Sequence, residues 1–344
     1  MRKQSLMNAA VLAALLFGTV LAQQTPDITS FDVTGGGRLT FNEIPSATVY
    51  RVEWANALTG AWYVGTPDAT GIVASGSGQN VVTVGVAQAA CFYRVVASMT
   101  NATPPSTPSG MVLIPAGTNS GTDPDSGAYS LTVEAFYMDA TEVTKAQWDA
   151  VYTWAIANGY TFANAGSGKA ADHPVQTVSW YDCVKWCNAR SQKEGKTPCY
   201  NLNDWSCNFS VNGYRLPTNT EWAYAARGGL SSKRFPWGDT ISQAQANYTG
   251  YPSTFTYDKG YAGRDPKYDS YPFTSPAGAF AANGYGLYDM AGNVFEWCND
   301  SAGTSRYIRG GSGSYDAEFA RCGSGHMDPA DFAPFRNGFR TVCR

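Results

Sequence analysis

The chain has 344 residues, a formal net charge of −3 and a sequence pI near 5.4. Lysine and arginine do not form runs, so a nucleic-acid-binding function has no electrostatic support and we expect no nucleic-acid partner. Only 15% of the residues are charged, whereas 36 are glycine and 14% are aromatic, which favours a rigid, loop-rich fold over a helical bundle.

Residues 1–22 have the pattern of a secretory signal peptide. Arg2 and Lys3 give the charged start, residues 9–21 the apolar core, and residues 20–22 a small-residue cleavage site. A membrane anchor is the competing interpretation, but the apolar run is short and polar sequence follows it at once. We therefore expect no membrane span. The mature chain would be secreted, periplasmic or on the cell surface, with 322 residues (344 minus 22), enough for two domains.

Eight cysteines in an exported chain predict disulfides, although their connectivity is not readable from sequence. Cys199 and Cys207 bracket a short, asparagine-rich loop and form the favoured pair. The other pairs stay open: Cys183 or Cys187 with Cys343, and Cys298 with Cys322, with Cys91 left as a buried thiol.

Residues 27–100 alternate apolar and polar side chains in the manner of half-buried strands. The strand-like segments are residues 39–41, 50–54, 81–86 and 91–96, with glycine-rich turns between them. The pattern resembles a small all-β sandwich of fibronectin type III or immunoglobulin-like shape. It contains no polar constellation, so we expect a spacer or adhesion module. Residues 101–110 follow as a linker rich in proline, serine and threonine.

Three helix starts are predicted beyond the linker. Each is a hydroxyl residue followed three positions later by a side chain that can bond back to it: Thr144 with Gln147, Ser179 with Asp182, and Thr218 with Glu221. On the third helix, Trp222, Ala225 and Ala226 mark one buried stripe, and the glycine pair 228–229 should end it. Short strands and long loops are expected between and after these helices.

Residues 284–297 read GYGLYDMAGNVFEW and place an Asp and a Glu seven positions apart. Gly292 lies between Asp289 and Glu296 and lets the backbone turn. Side-chain and carbonyl oxygens at this spacing can surround a hard cation such as Ca²⁺. The alternative is that Asp289 merely caps a turn, as Asp often does. We favour the calcium site.

Four further segments lie along the chain, two before this loop and two after it. They are residues 212–218 with Glu221 and Trp222, residues 235–238, residues 309–312 and residues 338–340. Together they resemble the sulfatase-modifying-factor family, whose founding activity is the formylglycine-generating enzyme. The resemblance covers about residues 111–344, roughly two-thirds of the chain. It implies an α+β fold there, the family's divergent C-type-lectin-like arrangement with little regular structure.

The resemblance also implies two calcium sites. The first uses the side chains of Asp289 and Glu296 and the backbone carbonyls of Gly292 and Val294. The second is implied at Asn247, Tyr248, Asp269 and Tyr271. Oxygen-only ligand sets of this kind suit Ca²⁺, which we expect as the bound ion. The alternative for Asp269, as for Asp289, is a turn cap.

The same resemblance argues against copper. The formylglycine-generating enzyme holds copper with a Cys-x₄-Cys pair that follows its Arg-Gly-Gly-Ser motif, and two thiolates suit the soft Cu(I) ion. Here Tyr315 and Ala320 occupy the two cysteine positions, and Cys322 is the only cysteine between Arg309 and Gly338. We therefore expect no copper site and no formylglycine oxidase.

A polar cluster remains around this degenerate site. Its candidate catalytic residues are Ser312, Tyr315 and His326, with Asp316, Glu318, Asp328 and Asp331 nearby in sequence. A carboxylate–histidine pair could perform general acid–base work, but a solvated loop is the favoured interpretation. His173 is the only other histidine and is expected to be structural, which excludes the three-histidine iron site of ergothioneine-pathway relatives.

The sequence thus predicts an exported, calcium-stabilised member of the family that has lost the copper cysteines. It would act as a binding or accessory module for an unidentified protein, peptide or glycan. The alternative is an oxidoreductase or another enzyme that uses the degenerate cleft on a protein or small metabolite.

Overall fold

The computed structural model describes residues 108–344 continuously and, before them, seven strands. The chain divides into two compact units, residues 1–106 and 107–344. The predicted signal peptide, most of the predicted linker and Cys91 lie outside the described residues. Within the described part of the chain, no helix has the length and apolar character needed to cross a membrane.

The N-terminal unit contains two antiparallel sheets. Its strands are β1 (Ile28–Asp32), β2 (Arg38–Asn42), β3 (Val49–Ala55), β4 (Tyr63–Val64), β5 (Ile72–Val73), β6 (Gln79–Thr83) and β7 (Phe92–Ser98). In one sheet β2 lies between β1 and β6, and in the other β3 pairs with β4, β5 and β7. Strands β2, β3, β6 and β7 coincide with the four predicted segments, apart from residues 84–86 and 91, which are not described. A fibronectin-like sandwich stays a prediction.

The second unit is α+β, as expected. Its elements are β8 (Met111–Ile114), β9 (Gly117–Asp123), β10 (Gly127–Val133), β11 (Phe136–Asp139), α1 (Lys145–Ala157), α2 (Trp180–Lys193), α3 (Asn219–Ala226), β12 (Phe295–Ala302), β13 (Ser305–Arg309), β14 (His326–Pro329), β15 (Asn337–Gly338) and β16 (Val342–Cys343). Strands β9 and β10 form a hairpin, and β11 lies between β8 and β16. A four-stranded sheet has the order β14-β13-β12-β15, with β15 parallel to β12.

The three predicted helix starts are confirmed. In each helix the cap hydroxyl accepts the N–H of the third residue at 3.1–3.2 Å, and that residue's side chain accepts the cap N–H at 2.8–3.1 Å. The caps are Thr144, Ser179 and Thr218. Each pair satisfies two backbone donors that the first helical turn would otherwise leave unpaired.

Helix α3 is buried on more than the one predicted stripe. Trp222, Ala225 and Ala226 are buried as expected, but so are Ala223 and Tyr224. The reason is that α3 contacts strands of two different sheets, β10 on one side and β12 and β13 on the other. The helix ends as predicted, at a glycine pair in the left-handed region.

An aromatic core joins α1 and α2 to the C-terminal segment. Trp148 of α1 and Trp186 of α2 stack with ring centres 6.0 Å apart, and Phe339 meets both edge-on at 5.9 and 5.3 Å. All three side chains are buried. Large buried rings of this kind dominate the energetics of a core. They hold Phe339, the residue before Arg340, in the interior.

The seven described cysteines are free thiols in this structure, including Cys199 and Cys207. These two lie on facing segments: the N–H of Asn208 donates to the carbonyl of Cys199 at 2.7 Å, and Tyr200 and Cys207 form a β-bridge. Interaction with the Cys207 side chain lowers the pKa of Cys199. Cys343 contacts the sulfur of Met111 at 3.7 Å, and neither Cys183 nor Cys187 is bonded to it. The Cys199–Cys207 disulfide remains a prediction that this proximity favours.

Candidate functional site

The loop before β12 turns through three left-handed residues. Asp289, Gly292 and Asn293 have φ values of 54°, 86° and 64°. A β-carbon at Gly292 would lie 2.2 Å from the backbone oxygen of Asn247, so only glycine is compatible with this approach. The N–H of Gly292 donates to the carbonyl of Gly310 at 2.7 Å, and that of Asn293 to Asn247 at 2.8 Å. The loop therefore packs against two segments that are remote in sequence.

Glu296 accepts three hydrogen bonds in the interior. The guanidinium of Arg340 donates to both carboxylate oxygens at 2.7 Å, and the indole N–H of Trp222 donates to Oε2 at 2.6 Å. Both members of the ion pair are fully buried. A charge-assisted pair with two parallel bonds fixes the direction of the carboxylate more strictly than a single bond would.

A third carboxyl group, Glu142, joins Asp289 and Glu296 in the interior. Glu142 Oε2 accepts from the amide of Asn293 at 2.8 Å, and Oε1 from the N–H of Val294 at 3.2 Å. Burial, together with the charges of Asp289 and Glu296, raises the pKa of Glu142 well above its ordinary value. Burial also raises the pKa of Asp289 to about 6. Sequence reasoning missed Glu142, which lies 147 positions before Asp289 and has no motif spacing to it.

These groups lie in a region closed to water, where an ionised carboxylate needs a positive partner. Glu142, Glu296 and Arg340 are each 0% exposed and Asp289 is 6% exposed. Three ionised carboxylates and one guanidinium would sum to −2, and unbalanced buried charge is costly. The oxygen donors fit Ca²⁺. Among the described residues no three Asp, Glu, His or Cys side chains form a complete metal-ligand group, so a cation would also need carbonyl oxygens such as those of Gly292 and Val294.

The second predicted calcium site is not assembled by contacts in this structure. Asn247 and Tyr248 are buried, but the Tyr248 hydroxyl donates to Asp258 at 2.5 Å. Asp269 instead accepts from Arg264 at 2.7 Å, in an exposed ion pair. Tyr271 is 66% exposed.

The residue that meets Asn247 from this segment is Phe273, not Tyr271. The amide of Asn247 donates to the carbonyl of Phe273 at 2.8 Å, while Asn247 Oδ1 is buried without a hydrogen-bond partner. This contact brings Asn247 and Phe273 together, whereas the set of Asn247, Tyr248, Asp269 and Tyr271 as calcium ligands stays a prediction.

Tyr315, at the first copper-cysteine position, belongs to an aromatic cluster. Its ring meets Phe295 edge-on at 5.1 Å and Phe319 at 4.8 Å, and the guanidinium of Arg336 lies 5.4 Å from its centre. Edge-to-face contacts of this kind are favourable beyond the area that they bury. Tyr315 is thus a packing residue, which leaves the cleft without a thiol at this position.

Ala320, at the second copper-cysteine position, is 1% exposed and packs with Phe235, Ile241 and Ala317. Cys322 is also fully buried, and burial raises the pKa of its thiol to about 12. Because the thiolate is the metal-binding form of cysteine, Cys322 is a poor ligand at neutral pH.

The remaining cleft candidates do not form a carboxylate–histidine pair. His326 Nε2 lies 3.2 Å from the hydroxyl of Ser324, and its ring packs on Phe319 at 4.3 Å. The predicted neighbours have other partners: Ser312 meets Ser314, Glu318 pairs with Arg321, and Asp328 pairs with Arg336, whereas Asp331 is exposed. Asp316 accepts the N–H of Glu318. This arrangement offers no evident general acid–base pair.

Comparison with known proteins identifies the relatives of this chain. Residues 96–344 match the sulfatase-modifying factor enzyme 1-like domain, a match that begins earlier than residue 111. The chain is 35% identical over 191 residues to the chaperone protein LppX of Paenibacillus barcinonensis, which covers 49% of this chain and 63% of LppX. It is 28% identical over 295 residues to the formylglycine-generating enzyme of Bos taurus, and the match covers 69% of this chain and 70% of that enzyme.

Among solved structures, Treponema denticola variable protein 1 superimposes with a TM-score of 0.53 at 25% identity, covering 68% of this chain and 94% of that chain. The chain spans less than two-thirds of the length of LppX. The domain match nevertheless covers most of the chain and includes the buried loop, the Arg-Gly-Gly-Ser segment and the C-terminal Gly-Phe-Arg. The chain therefore belongs to the sulfatase-modifying-factor, or formylglycine-generating-enzyme-like, family.

Proposed function

We propose that this chain is an exported, calcium-binding member of the family that serves as a binding or accessory module and not as a formylglycine oxidase. The packing at the copper positions carries this proposal. Tyr315 is engaged by Phe295 and Phe319, and Ala320 is enclosed by apolar side chains. Cu(I) would need soft thiolate ligands, which neither residue supplies.

Calcium is supported by the charge balance of the buried cluster. Glu142, Asp289 and Glu296 share the single positive charge of Arg340. A divalent cation held by Asp289 and Glu296 and by nearby carbonyls would remove the excess charge without any thiol or imidazole ligand. In this proposal calcium has a structural role, because it binds where three segments of the fold meet.

An accessory role is supported by the family's own range. The relative LppX is named a chaperone protein, so a member of this family need not be an oxidase. Export rests on residues 1–22, and the role of residues 27–100 as a spacer rests on their strand pattern. We take another exported protein, or a peptide segment of one, as the partner.

The first experiment measures copper and catalysis together. The mature chain is supplied with Cu(I), oxygen and a Cys-x-Pro-x-Arg peptide, with an active formylglycine-generating enzyme run in parallel. We expect substoichiometric copper and no aldehyde product by mass spectrometry. Peptide oxidation above a metal-free blank would overturn the proposal and favour the enzymatic alternative.

A second experiment tests the accessory role directly. Light scattering follows the aggregation of a reduced, denatured secreted protein such as lysozyme, with and without an equimolar amount of the calcium-loaded chain. Suppression of scattering beyond that given by an inert protein at the same mass supports the role. Scattering equal to that with the inert protein argues against a chaperone-like module.

A further inference from the structure

A solvent-open cavity of about 500 Å³ lies away from the degenerate cleft. It is also separate from the acidic cluster, the buried carboxyl groups of Glu142, Asp289 and Glu296. It is formed where the end of α1 meets one face of α2 and the loop between Cys199 and Cys207. Its wall includes Tyr160, Lys185, Gln192, Leu202 and Trp205. This volume is within the range of small-molecule sites, and such sites combine apolar walls with a few polar groups.

Trp205 is held at the cavity in a strained conformation. Its φ of 63° is in the left-handed region, which a bulky side chain rarely adopts. Its backbone N–H donates to the carbonyl of Asn201 at 2.7 Å, and its ring packs on that of Tyr181 with ring centres 4.6 Å apart. Backbone strain of this kind concentrates at ligand-binding positions. The contact with Tyr181 holds the indole ring at the cavity wall.

Lys185 gives the cavity a positive charge without a matching carboxylate. Its ammonium lies 5.8 Å from the centre of the Trp205 ring, and the described residues include no ion pair to it. None of the lining residues is acidic. Gln192 Oε1 accepts from the hydroxyl of Tyr160 at 3.0 Å, which directs the amide nitrogen of Gln192 away as a hydrogen-bond donor. The wall therefore offers one cation, the amide donor of Gln192 and aromatic faces.

We propose that this cavity binds a small ligand that carries a carboxylate on a ring with an apolar face. The carboxylate pairs with Lys185 and accepts from the Gln192 amide, while the ring packs on Trp205. A charge-assisted hydrogen bond of this type is about twice as strong as a neutral one. Two ligand sources share this chemistry, acidic sugars such as uronic acids and aromatic acids such as benzoate.

The test titrates the full mature chain with glucuronate and with benzoate by ligand-observed NMR. Glucose and benzyl alcohol serve as the matched neutral compounds. We expect at least one acid to bind with a Kd below about 10 mM and its neutral counterpart to bind about tenfold more weakly. The acid that binds more tightly identifies the source. Failure of both acids to bind in this range overturns the proposal.

Two variants localise the binding. Lys185→Gln should weaken the acid about tenfold, whereas Lys193→Gln makes the same charge change on the same helix outside the cavity and should change binding less than about twofold. Trp205→Gly removes the ring, relaxes the backbone and should abolish binding. Unchanged affinity in Lys185→Gln overturns the proposal even if Trp205→Gly fails to fold.

Discussion

Arg340 and Glu296 form a buried ion pair in which Nε meets Oε2 and Nη2 meets Oε1, both at 2.7 Å. The same guanidinium donates to the carbonyls of Asp139, Ala140 and Tyr288 at 2.8–3.3 Å. One side chain near the C-terminus thus connects the end of β11, the loop that contains Tyr288 and Asp289, and β12. This connection makes Arg340 the central positive charge of the site.

Arg340→Met should be among the most destabilising single substitutions in residues 107–344. It leaves Glu296 without its cation beside two other carboxyl groups, and breaking a buried pair of this kind costs about 3–5 kcal/mol. The matched control is Arg264→Met, which removes an exposed pair with Asp269 and should cost less than about 1 kcal/mol. Urea denaturation measures both.

A double variant separates pairing from packing. Adding Glu296→Gln to Arg340→Met removes the orphaned charge, so the combined loss should be smaller than the sum of the two single losses. Strictly additive losses, or an Arg340→Met loss no larger than that of Arg264→Met, would contradict the central role of the pair.

The sequence predicted local features of this fold well. Each helix start depends on residues three positions apart, as with Thr218 and Glu221, so a short window contains all the information. The acidic cluster is different. Glu142 reaches Asn293 across 151 positions, and only the folded backbone brings them together. No periodicity or spacing in the sequence encodes that contact.

Calcium should set the stability of residues 107–344. Chelation should lower the Tm, because a ligand bound only by the folded state at 100 times its Kd contributes about 2.7 kcal/mol, or roughly 5–10 °C for a domain of this size. Asp289→Asn should reduce the response to chelator, since it removes a predicted ligand of the first site. Differential scanning calorimetry with added calcium or chelator provides the measurement.

The control variants test the second predicted calcium site at the same time. Asp331→Asn alters an exposed carboxylate outside both sites and should leave the chelator response unchanged. Asp269→Asn should behave like this control if its exposed pairing with Arg264 persists in solution. A chelator response reduced in Asp269→Asn would restore the second site, and identical melting curves with and without chelator would refute calcium binding.

The two histidines should contribute to acid sensitivity. Burial lowers the pKa of His326, with Glu318 opposing this effect and Arg309 adding to it. Burial also lowers the pKa of His173. The unfolded chain then takes up these protons at higher pH than the folded protein. The stability contribution is complete above the unfolded pKa of about 6.5 and is lost as pH falls from that value through the lowered pKa of the folded protein.

His326→Phe keeps an aromatic ring against Phe319 and removes the titration. We expect a smaller fall in Tm between pH 7 and pH 5 than in the unmodified chain, measured in excess calcium so that the acidic cluster stays saturated. Because His326 is only partly buried, the difference should be modest. Parallel Tm profiles for the two proteins would rule out this contribution.

The exported protein should contain a Cys199–Cys207 disulfide. The two residues lie on facing segments, because the N–H of Asn208 donates to the carbonyl of Cys199 and Tyr200 forms a β-bridge with Cys207. Closing so short a loop should contribute about 2–3 kcal/mol. Digestion without reduction, followed by mass spectrometry, should yield one linked peptide. Recovery of either cysteine alkylated before reduction would contradict the pairing.

The degenerate cleft could be only partly predicted from sequence. The absence of a second cysteine near Cys322 was readable directly. The way Phe295 and Phe319 fill the space at Tyr315 was not, because they come from different segments of the fold. Likewise, His326 meets Ser324 and not a carboxylate, an outcome set by side-chain directions that the sequence does not specify.

Restoring both cysteines should restore copper binding before it restores any chemistry. In the variant that combines Tyr315→Cys with Ala320→Cys, two thiols replace a phenol and a methyl group, and we expect a large rise in Cu(I) affinity in a competition titration with a chromogenic chelator. Loss of the Tyr315 ring from its aromatic cluster should cost about 1–3 kcal/mol, so calcium is kept in excess during the measurement. Tyr315→Cys alone is the matched control, since one thiolate cannot hold the ion against competing thiols.

Turnover of a Cys-x-Pro-x-Arg peptide should stay absent in the double variant, because the surrounding groove has been repacked around the aromatic side chains. Equal copper affinity in the single and double variants would show that the two positions do not face a common ion. Stoichiometric copper in the unmodified chain would overturn the proposal that the cleft has lost its copper site.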